Sequence, residues 1–394
     1  MRKSILIFGG GPLQLSIIER VKMLGFRTIV IDPNPDAQGK QFADLFFQVD
    51  GDDFDRTLDV AKSNGIAGVV TAATDHPILM MSRIAAELHL IFPTYESCET
   101  VLDKGKFKSI LKKNNINHAK GGVYKKEDLI NFDEIKFPII VKPLKNSGSR
   151  GVLKCIESAS LLMTIEECLK YCNDGLFLVE EFIEGDEISV EAYVKNKEVF
   201  IIQITDKFVS DPPYNVELGH SQPSKFAERE NEILNLLQKV VAATGLDNCI
   251  LHPELKITDN TITVIEIGPR LGGDYITSDL VPLSTNINIE DIQINLAVGA
   301  DFIIEKVEHA SLISFLNFPN FETVVSEVNE KELTSEFPEI KAFHSSLKKG
   351  MVINPITNSL NRYGHFILQS NDLPALKETS KKIMMHISNQ VIKN

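Results

Sequence analysis

The amino-acid sequence predicts an α/β protein whose first domain holds a parallel sheet covered by helices on both faces. Two observations lead to this prediction. The first hundred residues alternate short apolar runs with amphipathic stretches, and the connections between them are short. Strand–helix alternation of this kind is typical of a parallel sheet. The run Gly9-Gly10-Gly11 follows the first apolar stretch, where glycines allow a sharp turn into a helix N-terminus.

Periodicity identifies each element of this first domain. The predicted strands are Ile5–Phe8, Thr28–Ile31, Phe46–Val49 and Gly68–Thr71. The predicted helices cover residues 13–24, Leu58–Ser63 and Ile78–Leu88. Together they predict a Rossmann-like domain over residues 1–100.

Hydride transfer with a dinucleotide is one alternative for this domain. The fingerprint G-x-G-x-x-G requires a glycine three residues after Gly11, where Gln14 stands. Asp32 lies at a suitable distance to hold a ribose, but a lone aspartate at a strand end is common. The incomplete motif favours a tight strand-to-helix turn.

The pattern changes after residue 100. The predicted elements are a helix over Lys106–Lys113, strands over Phe137–Lys142, Val152–Ile156, Phe177–Phe182 and Glu187–Val194, helices over Leu161–Tyr171 and residues 228–244, a hairpin of His252–Ile257 with Thr261–Ile267, and a last helix over Leu373–Val391.

Composition excludes several classes of protein. The chain has 394 residues and a formal net charge of −13, from 54 acidic and 41 basic residues, without a long basic run. A nucleic-acid partner is therefore disfavoured, since binding needs clustered Lys and Arg. No apolar run approaches the ~20 residues of a membrane span. The five cysteines form no C-x-x-C pair, which indicates reduced thiols and a cytoplasmic protein.

The loop Lys145–Gly151 carries the first chemical signal. It is rich in Gly and Ser, lies between two strands, and can wrap phosphates with backbone N–H groups beside Lys142 and Arg150. Alone it is a weak signal, because such hairpin loops are usually only connections. The acidic segment Val179–Glu187 is similar: it can present backbone groups to a purine and a carboxylate to a ribose, or form a solvated edge.

Glu254 and Glu266 give a more specific signal. They lie twelve residues apart, symmetric about Asn260, in a predicted hairpin. With a turn of odd length, most simply Asp259-Asn260-Thr261, they share one face. Two close carboxylates repel unless a divalent cation bridges them, and Mg²⁺ favours one or two carboxylates plus phosphate oxygens. The alternative is a solvent-facing edge with unrelated charges.

Taken in order, these features resemble the ATP-grasp superfamily. The motifs are Asp103-Lys104, Phe137–Lys142, the Gly/Ser loop, Glu180-Glu181-Phe182-Ile183-x-Gly185-x-Glu187, Glu254, and Glu266-Ile267-Gly268-Pro269-Arg270. The resemblance is good over residues ~100–300 and looser in the C-terminal part, through Ser359-x-x-Arg362-Tyr363-Gly364. It implies an ATP-grasp fold: a Rossmann-like domain (1–100), a two-lobed ATP-grasp module (101–300, with a small lid lobe near 115–185), and a small α+β C-terminal part (301–394) that completes the substrate pocket.

The resemblance also implies roles for individual residues. ATP phosphates would be held by Lys104 and Lys142 under the loop residues Ser147, Gly148, Ser149 and Gly151. Adenine would be held by Glu180 and the backbone of Glu181, Phe182 and Ile183, and the ribose by Glu187. Mg²⁺, or Mn²⁺, would be bound by Glu254 and Glu266. Arg270 would stabilise an acyl phosphate or orient the substrate carboxylate.

Within the superfamily, the segment from Glu266 to Asp274 looks most like the L-amino-acid ligases, which make dipeptides. Many relatives have Asn as a further metal ligand where this chain has Gly268. In the L-amino-acid ligases the Arg-Gly-Gly stretch lines the amino-acid pocket, with glycines giving backbone room. His220 also resembles that branch and would lie near the acyl phosphate, although a lone histidine is more often structural.

The implied activity is an ADP-forming, ATP-dependent carboxylate–amine ligase that acts on small-molecule carboxylates and amines, with amino acids as the expected substrates. A homodimer is left open. The alternatives are a purine-pathway ligase or carboxylase, a biotin-carboxylase-like enzyme, and a non-catalytic nucleotide-binding protein.

Overall fold

The structure is a computed structural model that describes residues 2–128, 136–145, 148, 150–211, 214 and 216–392. Its described strands form three sheets, two of four strands and one of eight. The described residues contain no helix that is long and apolar enough to cross a membrane.

The first sheet is parallel and has the order β3-β2-β1-β4. Its strands are β1 (Ser4–Phe8), β2 (Arg27–Asp32), β3 (Leu45–Gln48) and β4 (Ile66–Val70), with helices α1 (Leu15–Met23), α2 (Phe54–Ser63), α3 (Ile78–Glu87) and α4 (Tyr95–Leu102). All five residues of β1 are buried, as expected for a strand with helices on both faces. The predicted α/β class is confirmed.

Two side chains, Gln14 and Asp32, form hydrogen bonds with the backbone of the turn after β1. The Gln14 side chain accepts a hydrogen bond from Gly11 N (3.1 Å) and donates one to Ala72 O (2.6 Å). Asp32 accepts the N–H of Gly10 at 2.7 Å with one carboxylate oxygen and that of Asn34 at 2.7 Å with the other. Both side chains therefore stabilise the turn, and the carboxylate oxygens of Asp32 accept hydrogen bonds from backbone N–H groups.

The second sheet forms a small lobe with the order β5-β8-β6-β7. The lobe follows helix α5 (Lys104–Lys113) in the chain. Its strands are β5 (Gly121–Lys125), β6 (Ile139–Pro143), β7 (Leu153–Cys155) and β8 (Leu176–Glu181), and its helix is α6 (Leu161–Leu169). Asp103 caps α5 by accepting the N–H groups of Gly105 and Lys106, which fixes Lys104 in the first helical turn.

The third sheet is antiparallel, with the order β13-β12-β9-β10-β11-β14-β16-β15. Its strands are β9 (Asp186–Lys195), β10 (Glu198–Val209), β11 (Glu217–Gln222), β12 (Cys249–Ile257), β13 (Ile262–Gly268), β14 (Ala310–Phe315), β15 (Ile340–Ser345) and β16 (Gly364–Ser370). The accompanying helices are α7 (Glu230–Thr244), α8 (Val281–Thr285), α9 (Ile289–Ala297), α10 (Glu330–Glu336) and α11 (Leu373–Val391). Strands from both sides of residue 300 thus share one sheet.

Candidate active site

A cavity of about 680 Å³ is lined by residues from all three parts of the chain. Most of the predicted site residues line it: Lys104, Lys142, Gly148, Glu180, Glu181, Phe182, Ile183, Glu187, His220, Glu254, Glu266 and Arg270. Further charged groups line it as well: Arg150, Lys154, Lys207, Asp211, Glu217, His252, Lys256 and Asp274. The lining extends from Leu13 in the first domain to Leu360 in the C-terminal part, so distant parts of the chain meet at one place.

Glu254 and Glu266 are direct cross-strand partners, but the turn between them differs from the predicted one. Thr258 N donates to Thr261 O at 2.9 Å, which closes a two-residue Asp259-Asn260 turn of even length. That turn alone would pair Glu254 with Ile265. A β-bulge shifts the register, so that Leu255 pairs with Val264 and Glu254 with Glu266. The bulge thus brings the carboxylates opposite each other, and the expected three-residue turn is wrong.

Lys207 joins three of the cavity carboxylates. Its ammonium lies 2.7 Å from Glu187 Oε1, 3.0 Å from Glu254 Oε1 and 3.5 Å from Glu217 Oε1. The side chain is only 3% exposed. Burial alone would lower the pKa of Lys207, but the three carboxylates raise it well above its ordinary value. Burial would likewise raise the pKa of Glu254, yet Lys207 and His252 hold it well below its usual range.

The predicted phosphate lysines are held by acidic partners. Lys104 Nζ lies 3.2 Å from Glu266 Oε2, and Lys142 contacts one oxygen of Glu180. The other oxygen of Glu180 is 2.7 Å from Lys108 Nζ. Burial alone would raise the pKa of Glu180, but the two lysines lower it. The Glu180 carboxylate therefore orients Lys142, which differs from a direct contact with adenine.

The segment after β8 presents an aromatic side chain, Phe182, to the cavity. The N–H groups of Glu181 and Phe182 are donated to the carbonyls of Lys120 and Pro138, so a purine edge would have to meet other backbone groups. The Phe182 ring lines the cavity, with Lys154 Nζ at 3.5 Å from its centroid.

Part of the predicted loop reaches the cavity: Gly148 lines it, whereas Gly151 is not among the lining residues. Gly148 and Gly151 have φ values of +67° and +77°, in the left-handed region. The predicted phosphate contacts of Ser147 and Ser149 lie outside the described residues.

A buried histidine–glutamate pair lies beneath the Arg-Gly-Gly stretch. His252 Nδ1 is 2.9 Å from Glu191 Oε1, and Glu191 is fully buried. Burial alone would lower the pKa of His252, but Glu191 and Glu254 raise it to about 9. A Cβ atom added at Gly272 would lie 2.7 Å from His252 Nδ1 and 3.1 Å from Glu191 Oε2. Gly272 therefore leaves room for this pair, whereas the sequence suggested room for a substrate.

His220 belongs to a second buried group. Its Nε2 lies 3.5 Å from Asp274 Oδ2, and its Nδ1 has no hydrogen-bond partner among the described residues. Arg362 forms a bidentate pair with Asp274 and packs its guanidinium 3.6 Å from the Phe315 ring centroid. The C-terminal part thus reaches the cavity through the loosely matching motif that contains Arg362.

Sequence reasoning missed several of these groups. Lys207 belongs to no recognised motif, and only the pairing of β10 with β9 and β11 reveals its role. Asp274 and Arg362 stood inside quoted motifs without an assigned role. Asp75, which pairs with Arg270, carried no signal.

The donors fit a divalent cation that also binds phosphate oxygens. Among the residues that the structure describes, no cluster of three or more His, Cys, Asp or Glu side chains could hold a metal alone. The opposed Glu254 and Glu266 supply two carboxylates, the number that Mg²⁺ takes when substrate phosphates complete its shell.

Comparisons with known proteins agree with this geometry. Residues 135–279 match the ATP-grasp domain family. The C-terminal section of the carbamoyl phosphate synthase large chain from Methanocaldococcus jannaschii is 23% identical over an alignment of 338 residues, and the match covers 78% of this chain and 54% of that protein. The corresponding large chain from Corynebacterium glutamicum is 23% identical over an alignment of 324 residues, and the match covers 76% of this chain and 29% of that protein. The chain thus spans about half, or less, of these relatives.

Solved structures match over the whole chain. L-amino acid ligase from Bacillus licheniformis has a TM-score of 0.81 at 20% identity. The match covers 100% of this chain and 99% of the ligase chain. Phosphoribosylglycinamide synthetase from Anaerococcus prevotii has a TM-score of 0.74 at 23% identity, with 99% of each chain covered. Residues 135–279 therefore match the ATP-grasp domain family, and the chain shares the fold of L-amino acid ligase.

Proposed function

We propose that the protein is an ATP-dependent carboxylate–amine ligase that forms ADP. In the first step a carboxylate oxygen attacks the γ-phosphorus of ATP, ADP leaves, and an acyl phosphate forms. In the second step an amine attacks the acyl carbon, loses a proton, and displaces inorganic phosphate. Neither step needs a covalent bond to the protein, so catalysis comes from positioning and charge neutralisation.

The observation that carries this proposal is the meeting of opposite charges in one cavity. The paired Glu254 and Glu266 lie with the ammonium groups of Lys104 and Lys207 and the guanidinium of Arg270. The carboxylates are suited to a metal bound to phosphates, the two lysines to the phosphoryl oxygens, and the guanidinium to a substrate carboxylate. The two sets form ion pairs with each other, Lys104 with Glu266 and Lys207 with Glu254.

Glu254 and Glu266 would hold Mg²⁺, with Mn²⁺ as a substitute of the same ligand preference. The metal supplies neutralisation of phosphate charge when it is bound. Lys104 and Lys142 would bind phosphate oxygens, and Phe182 would contact the base.

The substrates that we favour are amino acids. Arg270 offers a planar set of donors to a carboxylate. A phosphoribosyl substrate of the purine pathway is less favoured, because the amides of the N-terminal turn that would receive its phosphate are already donated to Gln14 and Asp32. A cytoplasmic location is part of the proposal, supported by five free cysteines.

The test is phosphate release from ATP with a panel of carboxylates and amines, followed by nucleotide analysis and product mass. We expect ADP, phosphate and a condensed product. Glu266→Gln removes one formal charge and keeps the shape, so it should abolish turnover. AMP and pyrophosphate would refute the acyl-phosphate route, and tight nucleotide binding without turnover on any pair would favour the alternative of a non-catalytic nucleotide-binding protein.

A further inference from the structure

Arg270 is held by a carboxylate from the N-terminal domain. Its Nε lies 2.5 Å from Asp75 Oδ1 and its Nη2 lies 3.4 Å from Asp75 Oδ2. Asp75 follows β4, whereas Arg270 follows β13, so 195 positions separate the partners. The Asp75 side chain is 29% exposed and that of Arg270 is 12% exposed. The pair therefore bridges two parts of the chain at the edge of the cavity.

The backbone around this pair holds the guanidinium in one place. A Cβ atom added at Gly268 would lie 3.3 Å from Arg270 Cγ and 3.4 Å from its Nε, so the arginine side chain folds closely over this glycine. Arg270 Nη1 donates to Leu271 O at 3.0 Å, and the same carbonyl accepts the N–H of Ala73 at 3.3 Å. Gly268, which stands where many relatives have a metal-binding Asn, thus makes room for Arg270 here.

The donors of Arg270 are divided between the protein and the cavity. Described residues accept from Nε, Nη1 and Nη2, which accounts for three of the five N–H bonds of a guanidinium. The cavity lining includes Arg270 and Ala73 but not Asp75 among the residues that the structure describes. Asp75 thus contacts the back of the guanidinium, and the remaining donors can face a substrate.

We propose that Asp75 is a positioning residue, which fixes the guanidinium of Arg270 so that its remaining N–H bonds bind the planar carboxylate of the substrate. The inference rests on the proposed ligase function. Because Asp75 neutralises Arg270, the pair as a whole is uncharged. It suits a carboxylate that accepts directed hydrogen bonds better than a dianionic phosphate, which needs net positive charge.

The test compares Asp75→Asn with a matched control at another Arg–Asp pair. Asp291 accepts from Arg20 Nε at 2.8 Å, across α1 and α9, away from the cavity lining. Asp75→Asn should raise the KM for the carboxylate substrate ~10–100-fold, because a displacement of about 1 Å at a substrate-orienting group costs on that order. The Kd for ATP should stay unchanged, Asp75→Glu should recover part of the loss, and Asp291→Asn should leave both constants at the wild-type values.

A readout without substrate separates this inference from the proposed ligase activity. The ¹⁵Nε–¹H signal of Arg270, assigned through its loss in Arg270→Lys, should shift and exchange faster in Asp75→Asn and not in Asp291→Asn. An unchanged signal would overturn the inference, as would an unchanged KM or an equal loss of ATP affinity. If the wild type turns over no carboxylate–amine pair, the proposed function fails, and the nitrogen signal alone then decides on the positioning role.

Discussion

Replacing Gly272 with alanine should destabilise the protein through a buried steric conflict. The new Cβ would lie 2.7 Å from His252 Nδ1, 2.8 Å from His252 Cε1 and 3.1 Å from Glu191 Oε2. Contacts under 3.0 Å force a neighbour to move. Neither neighbour moves freely, because His252 is 7% exposed, Glu191 is fully buried, and the two are hydrogen-bonded at 2.9 Å.

The expected cost follows from this packing. Overpacking a buried position by one methyl group typically costs ~1–3 kcal/mol. A cost of about 2 kcal/mol lowers the melting temperature by about 4–8 °C in a domain of 150–250 residues. We expect a shift of this order in thermal unfolding followed by fluorescence.

The neighbouring glycine is the matched control. A Cβ added at Gly273 would lie 3.7 Å from Ala73 Cβ, which is an ordinary van der Waals contact. Gly273→Ala should therefore melt within about 1 °C of the wild type by the same scaling. In a His252→Ala background the cost of Gly272→Ala should shrink, because the crowding atoms are gone. Equal melting of both glycine variants, or an undiminished cost in that background, would refute the steric reasoning.

Three further outcomes are expected. Lys207→Met should destabilise the protein by ~3–5 kcal/mol, because it leaves buried carboxylates without their cation. Mg²⁺ should raise the melting temperature of this variant more than that of the wild type. Equal increases in the two melting temperatures would contradict the prediction. Arg270→Lys should lower turnover sharply while ATP binding persists, since an ammonium lacks the planar fork; wild-type turnover would remove Arg270 from the site. Burial raises the pKa of Glu290 to about 7, although the hydrogen bond from Ser16 acts to lower it. The folded chain therefore keeps a proton at pH values above ~4.3, where an unfolded glutamate has lost it. Stability should therefore fall as pH rises from ~4.3 to about 7, and Glu290→Gln should flatten this slope in melting curves; parallel slopes would exclude Glu290 as the cause.

Local sequence patterns predicted the elements well, because each depends on its own periodicity. Helix α11 has the bounds that the apolar pattern predicted, and the first sheet has its four expected strands. The register of the β12–β13 hairpin could not be derived in this way. Side-chain alternation and turn length predict a single register for the whole hairpin. The bulge between Val264 and Glu266 changes that register by one residue.

The ion pairs between distant parts of the chain could also not be predicted from the sequence. Lys207 is one lysine among many along the chain, and its partners come from β9, β11 and β12. Asp75 lies in a connection with no motif of its own. Their importance arises only when the sheet order and the approach of the N-terminal domain are known.

The eight-stranded sheet has a consequence for the order in which the chain can mature on the ribosome. Strand β14 lies between β11 and β16, so β11 has an open edge until residue 310 has been synthesised. Arg362, the partner of Asp274, emerges later still. A nascent chain that ends near residue 300 thus has unpaired backbone groups at the edge of β11, and its cavity still lacks the C-terminal lining residues. Exposed strand edges of this kind can pair with strands of other chains. Newly made chains should therefore need protection from aggregation until the last strands have been added.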